Sequence, residues 1–414
     1  MRSLKKTVRA TARKLLIQPL LQAIEENKTK PRRIAAPIER LLLGGDGGLS
    51  GAHYARLIND PLRSSTPTAK WPHTMLLREY DAEGEQIFKP DYFSRTFYYR
   101  NARQAIDYLG SYFTARSDEA IVQVARDFVA RYQGKSVPPQ GQPGVHSPIT
   151  ASAISVRPLL GSNCYEVVDG HHRAAIAYLR GETTLAADCI YFPRKTALME
   201  VVFDVLWQRG RIELYQPLKQ AEFSVWHVVR QCRDRFSLLL RYLQSMGLSA
   251  PTSYCDLGAS YGWFVAAMSR IGFASRGVEM DPFAIRVGEV AYGLPTGQVE
   301  RSEISQWLQG TSRSAEIVSC FSVLHHFLMG KGPVTAEEFI RMIDRATGRV
   351  LFIDTGEEHE AWFRNTLAGW NAESIAAWIK NNTRFQTVTP LGRDQDNRPP
   401  YENNYCRMLF ACTR

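Results

Sequence analysis

Paired cysteines are missing from this chain. Its seven cysteines, Cys164, Cys189, Cys232, Cys255, Cys320, Cys406 and Cys412, are scattered, and no two stand in a Cys-x-x-Cys spacing. That argues against a disulfide framework and against a structural zinc site, and it fits a reducing cytoplasm. Long apolar runs are missing too. No stretch approaches the ~20 uninterrupted apolar residues that a membrane-spanning helix needs. Low-complexity blocks are absent, and a composition 44% hydrophobic and 22% charged is that of a globular protein. Basic charge is scarce everywhere but at one end. Of a net charge of +10, residues 1–33 hold ten Lys and Arg against two Glu, so the remaining 381 residues carry only +2. A broad nucleic-acid footprint is not implied.

What is present sorts into four stretches. At 414 residues the chain exceeds what one core tends to enclose, so two domains with an extension are expected. Residues 1–28 hold a basic amphipathic helix: Leu4, Val8, Ala12, Leu15 and Leu16 recur at helical spacing among Lys5, Lys6, Arg9, Arg13 and Lys14. Three readings of 2–22 stay open. One is a peripheral anchor on the anionic inner face of a membrane, the second a helix packed on its own protein, and the third a transit segment. Residues 29–70, rich in Pro, Gly and Ser, read as a linker. The run Gly44–Gly51 lacks the Lys-Ser/Thr ending of a P-loop. Residues 71–214 read as an α+β domain, with a hairpin at 74–79 and 86–88, helix through 102–132, a polar loop at 134–144, strands at 154–160, 165–168 and 184–191, and a helix over 169–180. Residues 215–414 alternate helix and strand. The expectation is a long helix over 223–246, then strands at 253–256, 275–279, 298–300, 316–321, 349–354, 383–391 and 405–412.

The turn Asp169-Gly170-His171-His172-Arg173 joins a strand to a helix. Glycine permits close backbone approach, the helix start offers unpaired amides, and Arg173 adds a two-pronged donor, so an anion site is expected. The segment 148–191 resembles the ParB/sulfiredoxin-like superfamily, whose Gly-x-x-Arg turn binds nucleotide phosphates. The resemblance implies a nucleoside triphosphate, with Mg2+, held by these five residues and passed on as a phosphoryl group. It equally admits a domain that only holds substrate. Sulfiredoxins carry a cysteine in this turn and this sequence has none, which speaks against redox repair. The plainer reading is that His171 and His172 cap a helix and line a core.

In the last stretch, Tyr254-Cys-Asp-Leu-Gly-Ala-Ser-Tyr-Gly262 closes a strand and opens a helix, and its spacing departs from the Gly-x-Gly-x-x-Gly of dinucleotide sites. Glu279 ends the next strand, 21 residues beyond Gly258, and Ser302-Glu303 follows the third. The fourth leads into Ser-Val-Leu-His-His (Ser322–His326). This series resembles class I, Rossmann-like methyltransferases that use S-adenosylmethionine (SAM). The resemblance implies a seven-stranded α/β sheet and a cofactor site formed by Asp256, Gly258, Ala259, Ser260, Gly262, Glu279, Met280, Glu303 and Phe321. Glu279 would hold the ribose hydroxyls, and Glu303 would face the adenine amino group.

Methyl transfer from a sulfonium needs positioning more than covalent help. For an alcohol acceptor a base is required, and His325, His326, Glu358 and His359 are the candidates. Of the adjacent histidines, one is expected to pack and the other to see the cleft. No metal site is expected. The expected function is O-methylation of a glycan or glycolipid, including a sugar phosphate made by the preceding domain. The alternative is a nucleic-acid-modifying methyltransferase whose first domain binds DNA or RNA; against it stand the nearly neutral body and the lack of an Asn/Asp-Pro-Pro-Tyr motif after the fourth strand.

Overall fold

The computed structural model describes residues 31–135, 153–208, 210–310 and 315–414. The basic segment 2–22 lies outside the described residues, as does most of the loop at 134–144. Two compact units emerge: residues up to 200 with 220–225, and residues 201–219 with 226–414. The boundary expected at 214/215 is thus replaced by a crossing at 200/201 and a short return.

Unit 1 is a five-stranded mixed sheet with helices. Its strands are β1 (Arg32–Pro37), β2 (Leu41–Leu42), β3 (Ile154–Pro158), β4 (Tyr165–Asp169) and β5 (Thr184–Cys189), in the order β1-β5-β3-β4-β2. The stretch read as a linker over 29–70 therefore supplies two strands, a correction with a clear physical cause. Arg63 is buried, and its guanidinium donates to the Gly44 carbonyl (2.5 Å), to Asp46 (2.8 Å) and to Asn101 (3.2 Å), which pins the glycine run to the body. Gly44 lies so close under β4 that a Cβ would stand 1.7 Å from the Val167 carbonyl oxygen.

The hairpin expected at 74–79 and 86–88 is instead a helix, Pro72–Glu83, followed by a 3-10 turn, Gly84–Phe88. Proline at the first helical position favours the start, Leu76 and Leu77 bury one face, and Gly84 at φ 59° ends it. The compact unit after 153 holds its expected form: β3, β4, the helix His171–Leu179, then β5.

Unit 2 begins with a small parallel pair, β6 (Glu213–Leu214) and β7 (His227–Val228). The helix expected over 223–246 starts only at Arg233 and runs to Ser245. Cys232 at φ 66° breaks any earlier helix, and Arg230 is drawn into the interior by three carboxylates. The main sheet has seven strands: β8 (Ser253–Leu257), β9 (Ala274–Glu279), β10 (Val299–Arg301), β11 (Ala315–Cys320), β12 (Thr347–Ile353), β13 (Thr387–Arg393) and β14 (Met408–Thr413). Their order is β10-β9-β8-β11-β12-β14-β13, all parallel except β14. The expected seven-stranded α/β plan with a closing hairpin is what forms.

The central strands are apolar on both sides because helices cover both faces. One face packs Phe339, Ile340 and Ile343 of the helix Ala336–Ala346 with Ile375 and Ile379. The other packs Leu239, Leu243, Phe264 and Met268 on Tyr254, Ile317 and Phe352. Each buried side chain of that size contributes roughly 1.5–3 kcal/mol.

Candidate active site

Strand order reverses direction between β8 and β11, and in open parallel sheets a ligand crevice opens outside the carboxyl ends at such a point. The sequence motifs converge there. The loop after β8 holds Gly258 at φ 80° and Gly262 at φ 78°, with Ser260 also left-handed at φ 52°. Gly258 and Ala259 donate their N–H groups to the Val278 carbonyl (2.9 and 3.0 Å), tying the loop to β9. A Cβ at Gly258 would meet Val323 at 2.6 Å, and one at Gly262 would meet Leu294 at 2.7 Å.

Glu279 closes β9 under this loop. Its Oε1 accepts the N–H groups of Met280 (2.7 Å) and Asp281 (2.9 Å), and Oε2 accepts that of Ser260 (2.8 Å). Burial pushes its pKa up while the three amides pull it down. A carboxylate offers about four acceptor positions, so one on Oε2 remains for a ligand hydroxyl. Met280 is exposed beside it. Glu303 caps the helix Ile304–Gln309: Oε2 takes the Gln306 N–H (2.9 Å) and the Ser305 hydroxyl (2.5 Å), which leaves Oε1 for an amino donor. Asp256 lies deeper. Tyr254 and Ser319 hydroxyls meet at 2.6 Å, and Ser319 donates to Asp256 at 2.5 Å. Burial raises the Asp256 pKa to about 7. Phe321 is buried against Phe264, with ring centroids 4.7 Å apart.

The expected bases are less alike than their clustering in sequence suggests. His325 is 5% exposed, whereas His326, next on the helix Leu324–Leu328, faces solvent. Nδ1 of His325 accepts the Gly356 N–H (3.3 Å). Burial, then the charge of Arg407, holds its pKa well below the usual histidine range. His326 is lowered less, by burial and then Lys331. His359 is exposed; its Nε2 lies 2.7 Å from the Tyr405 carbonyl and its Nδ1 3.5 Å from Glu357. Glu358 accepts the Gly369 N–H (2.8 Å) and the Asn371 amide (3.4 Å).

Sequence reasoning missed a buried charge network at the same edge. Asp354, just past β12, accepts Arg230 (3.1 Å), Arg235 (3.0 Å) and the Ser322 N–H (2.6 Å). Arg230 also pairs with Asp394 and Asp396, and Arg407 grips Glu360 with two bonds of 2.8 and 2.9 Å. One signal was legible: Arg407 stands immediately before the apolar run Met408–Cys412 of β14. Among the described residues no group of His, Cys, Asp or Glu is arranged to hold a metal ion.

In unit 1 the five residues of the second expected site divide. Gly170, at φ 101°, stands at the helix start, and Arg173 donates to Asp169 (2.9 Å) and to the Ala153 carbonyl (3.0 Å). His171 turns inward under Trp71 and stacks on His73, its Nε2 buried without a partner; burial, then Arg63, lowers its pKa to about 3. His172 meets the Tyr98 hydroxyl at 3.1 Å and packs on Phe128 and Phe113.

No protein-family model matches the chain, and no curated protein matches it. Among solved structures it is similar to the bifunctional kinase-methyltransferase WbdD, at 14% identity and TM-score 0.42, over 52% of this chain and 46% of that one. The chain thus spans about half the length of that structure. It is also similar to magnesium protoporphyrin IX methyltransferase (ChlM) from Synechocystis with bound SAM, at 14% identity and TM-score 0.32, over 44% of this chain and 78% of that one. TM-scores at this level give these likenesses no weight in assigning a function.

Proposed function

We propose that the chain is a SAM-dependent methyltransferase whose donor site lies at the carboxyl edge of β8, β9 and β10. The observation that carries this is Glu279, a buried carboxylate held at the end of β9 by three backbone amides beneath a loop with left-handed Gly258 and Gly262. Such a carboxylate accepts a ribose hydroxyl, and glycines let the cofactor lie against the backbone. Glu279→Ala removes a charge-assisted hydrogen bond worth roughly 1–3 kcal/mol, so SAM affinity falls about tenfold or more. Calorimetry on the folded variant checks this, and unchanged affinity removes Glu279 from the site.

The acceptor we infer is a glycan or glycolipid rather than nucleic acid, because the charge beyond residue 33 is nearly balanced. The turn at Asp169–Arg173 we read as a site for a nucleoside triphosphate with Mg2+, supplying a phosphoryl group to that acceptor. Supporting it are the amides opening a nine-residue helix and the guanidinium of Arg173, which would exchange Asp169 for phosphate. Titration with magnesium and ATP should show binding that Arg173→Ala weakens while SAM binding persists. No heat with the wild-type protein would leave the domain as a substrate holder. For residues 2–22 the reading is a peripheral anchor on the cytoplasmic face of a membrane.

A further inference from the structure

We propose that His325 holds the attacking oxygen of the acceptor as a fixed neutral hydrogen-bond donor, and that this acceptor is an oxyanion, a phosphate or carboxylate, rather than a neutral alcohol. This rests on the methyltransferase reading and names the substrate class of that same site.

The ring's chemistry follows from one bond. Gly356 N–H points at Nδ1, so Nδ1 must carry the lone pair and the single proton of a neutral imidazole sits on Nε2. The groups facing the ring, Arg407, Arg230, Lys331 and His326, are cationic or become so on protonation, and all disfavour a second proton. Nε2–H has no hydrogen-bond partner among the described residues. A nitrogen that already bears its proton cannot accept one, so His325 cannot be the base through Nε2.

Two other candidates are fixed by protein contacts. Gly369 and Asn371 each donate to one oxygen of Glu358, and both ring nitrogens of His359 face protein oxygens. His326 is exposed, its ring centroid 4.3 Å from that of His325, and His326→Ala tests it as a base. Methyl transfer to an oxyanion balances without a base. A lone pair of the acceptor oxygen forms the new O–CH3 bond, the S–CH3 bond breaks, and its electrons stay on sulfur as a neutral thioether. The sulfonium's positive charge and the acceptor's negative charge cancel, and no proton moves. An alcohol would have to lose a proton in the same step.

Three measurements test this on the full chain. Long-range proton–nitrogen spectra of histidine-labelled protein should show His325 as the Nε2–H form across neutral pH. Gln at 325 can accept from Gly356 and donate outward, so His325→Gln should keep kcat/KM within about tenfold of wild type, while His325→Leu, which no longer positions the oxygen, loses about a hundredfold or more. SAM affinity, read by calorimetry, should be unchanged in both. With SAM as donor, mannose 6-phosphate or glucuronate should be methylated, at a rate flat with pH above the acceptor's own pKa, and methyl mannoside should not. The proposal is overturned by an Nδ1–H signal, by a dead Gln variant, by loss of rate in His326→Ala with a rate rising with pH, or by methylation of methyl mannoside alone or of none of the three. If wild-type protein fails to bind SAM, the methyltransferase reading itself falls instead.

Discussion

At the scale of single residues, burial sets the chemistry more than sequence neighbours do. Asp256 shows it. Its carboxyl is sealed within β8 with only Ser319 to donate to it, so desolvation raises its pKa from 3.8 to about 7. An acid that binds its proton more tightly when folded stabilises the fold fully below pH 3.8. That contribution drains away as pH rises toward 7 and is gone above it. Asp256→Asn keeps the shape and removes the titration. Urea midpoints at pH 5 and pH 8 should therefore differ less in the variant than in wild type, by an amount worth a few kcal/mol. Equal pH slopes in the two proteins would show that Asp256 does not titrate in this range. The same logic separates His325 from His326: adjacent in sequence, they differ in exposure because successive helical positions point about 100° apart.

At the scale of elements, the loop between β8 and the helix Trp263–Arg270 is where backbone geometry meets function. Gly258→Ala would place a Cβ in a left-handed conformation and 2.6 Å from Val323. The conformational cost alone is about 1–2 kcal/mol, and the steric part adds to it. SAM binding should weaken about tenfold or more, and pairing the change with Val323→Ala should restore only the steric part, a double-mutant cycle read by calorimetry and urea unfolding. Full recovery in the double variant would mean that the φ angle at 258 is not what the site depends on.

This loop was legible in sequence because β8 is short, apolar and followed at once by glycines. In the seven-stranded sheet β11, β12 and β14 were legible for the same reason, as apolar runs between turn signals, whereas the more polar β9, β10 and β13 were legible from their alternation with helices. The helix Pro72–Glu83 was not, since its flanking Asp81–Gly84 mimics a hairpin turn while Leu76 and Leu77 bury on a helical face. Nor was the Arg230 network, whose partner Asp354 lies 124 residues away. Charge pairs at that separation leave no periodic trace, and buried Arg230 with left-handed Cys232 keeps residues 226–232 out of the helix that follows.

At the scale of the whole molecule, charge is the organising asymmetry. Eight of the ten net positive charges fall within the first 33 residues, ahead of a body close to neutral. No helix among the described residues is long and apolar enough to cross a membrane. A short basic amphipathic segment binds an anionic surface by placing its apolar stripe in the interface and its lysines and arginines on the headgroups, each near-surface charge adding about 1 kcal/mol. On the proposed anchor reading, Leu4, Val8, Leu15 and Leu16 would supply the stripe, and Lys5, Lys6, Arg9, Arg13 and Lys14 the charge. Deleting residues 1–22 should release the protein from vesicles containing phosphatidylserine without changing SAM affinity, because Glu279 and the glycine loop lie in unit 2. The full-length protein should also leave those vesicles as salt rises, since screening shortens the reach of exposed charges to about 8 Å at physiological ionic strength. Flotation of the truncated protein with anionic vesicles, or equal binding of the full chain to vesicles of neutral lipid, would show that charge at the N-terminus does not direct it to the surface.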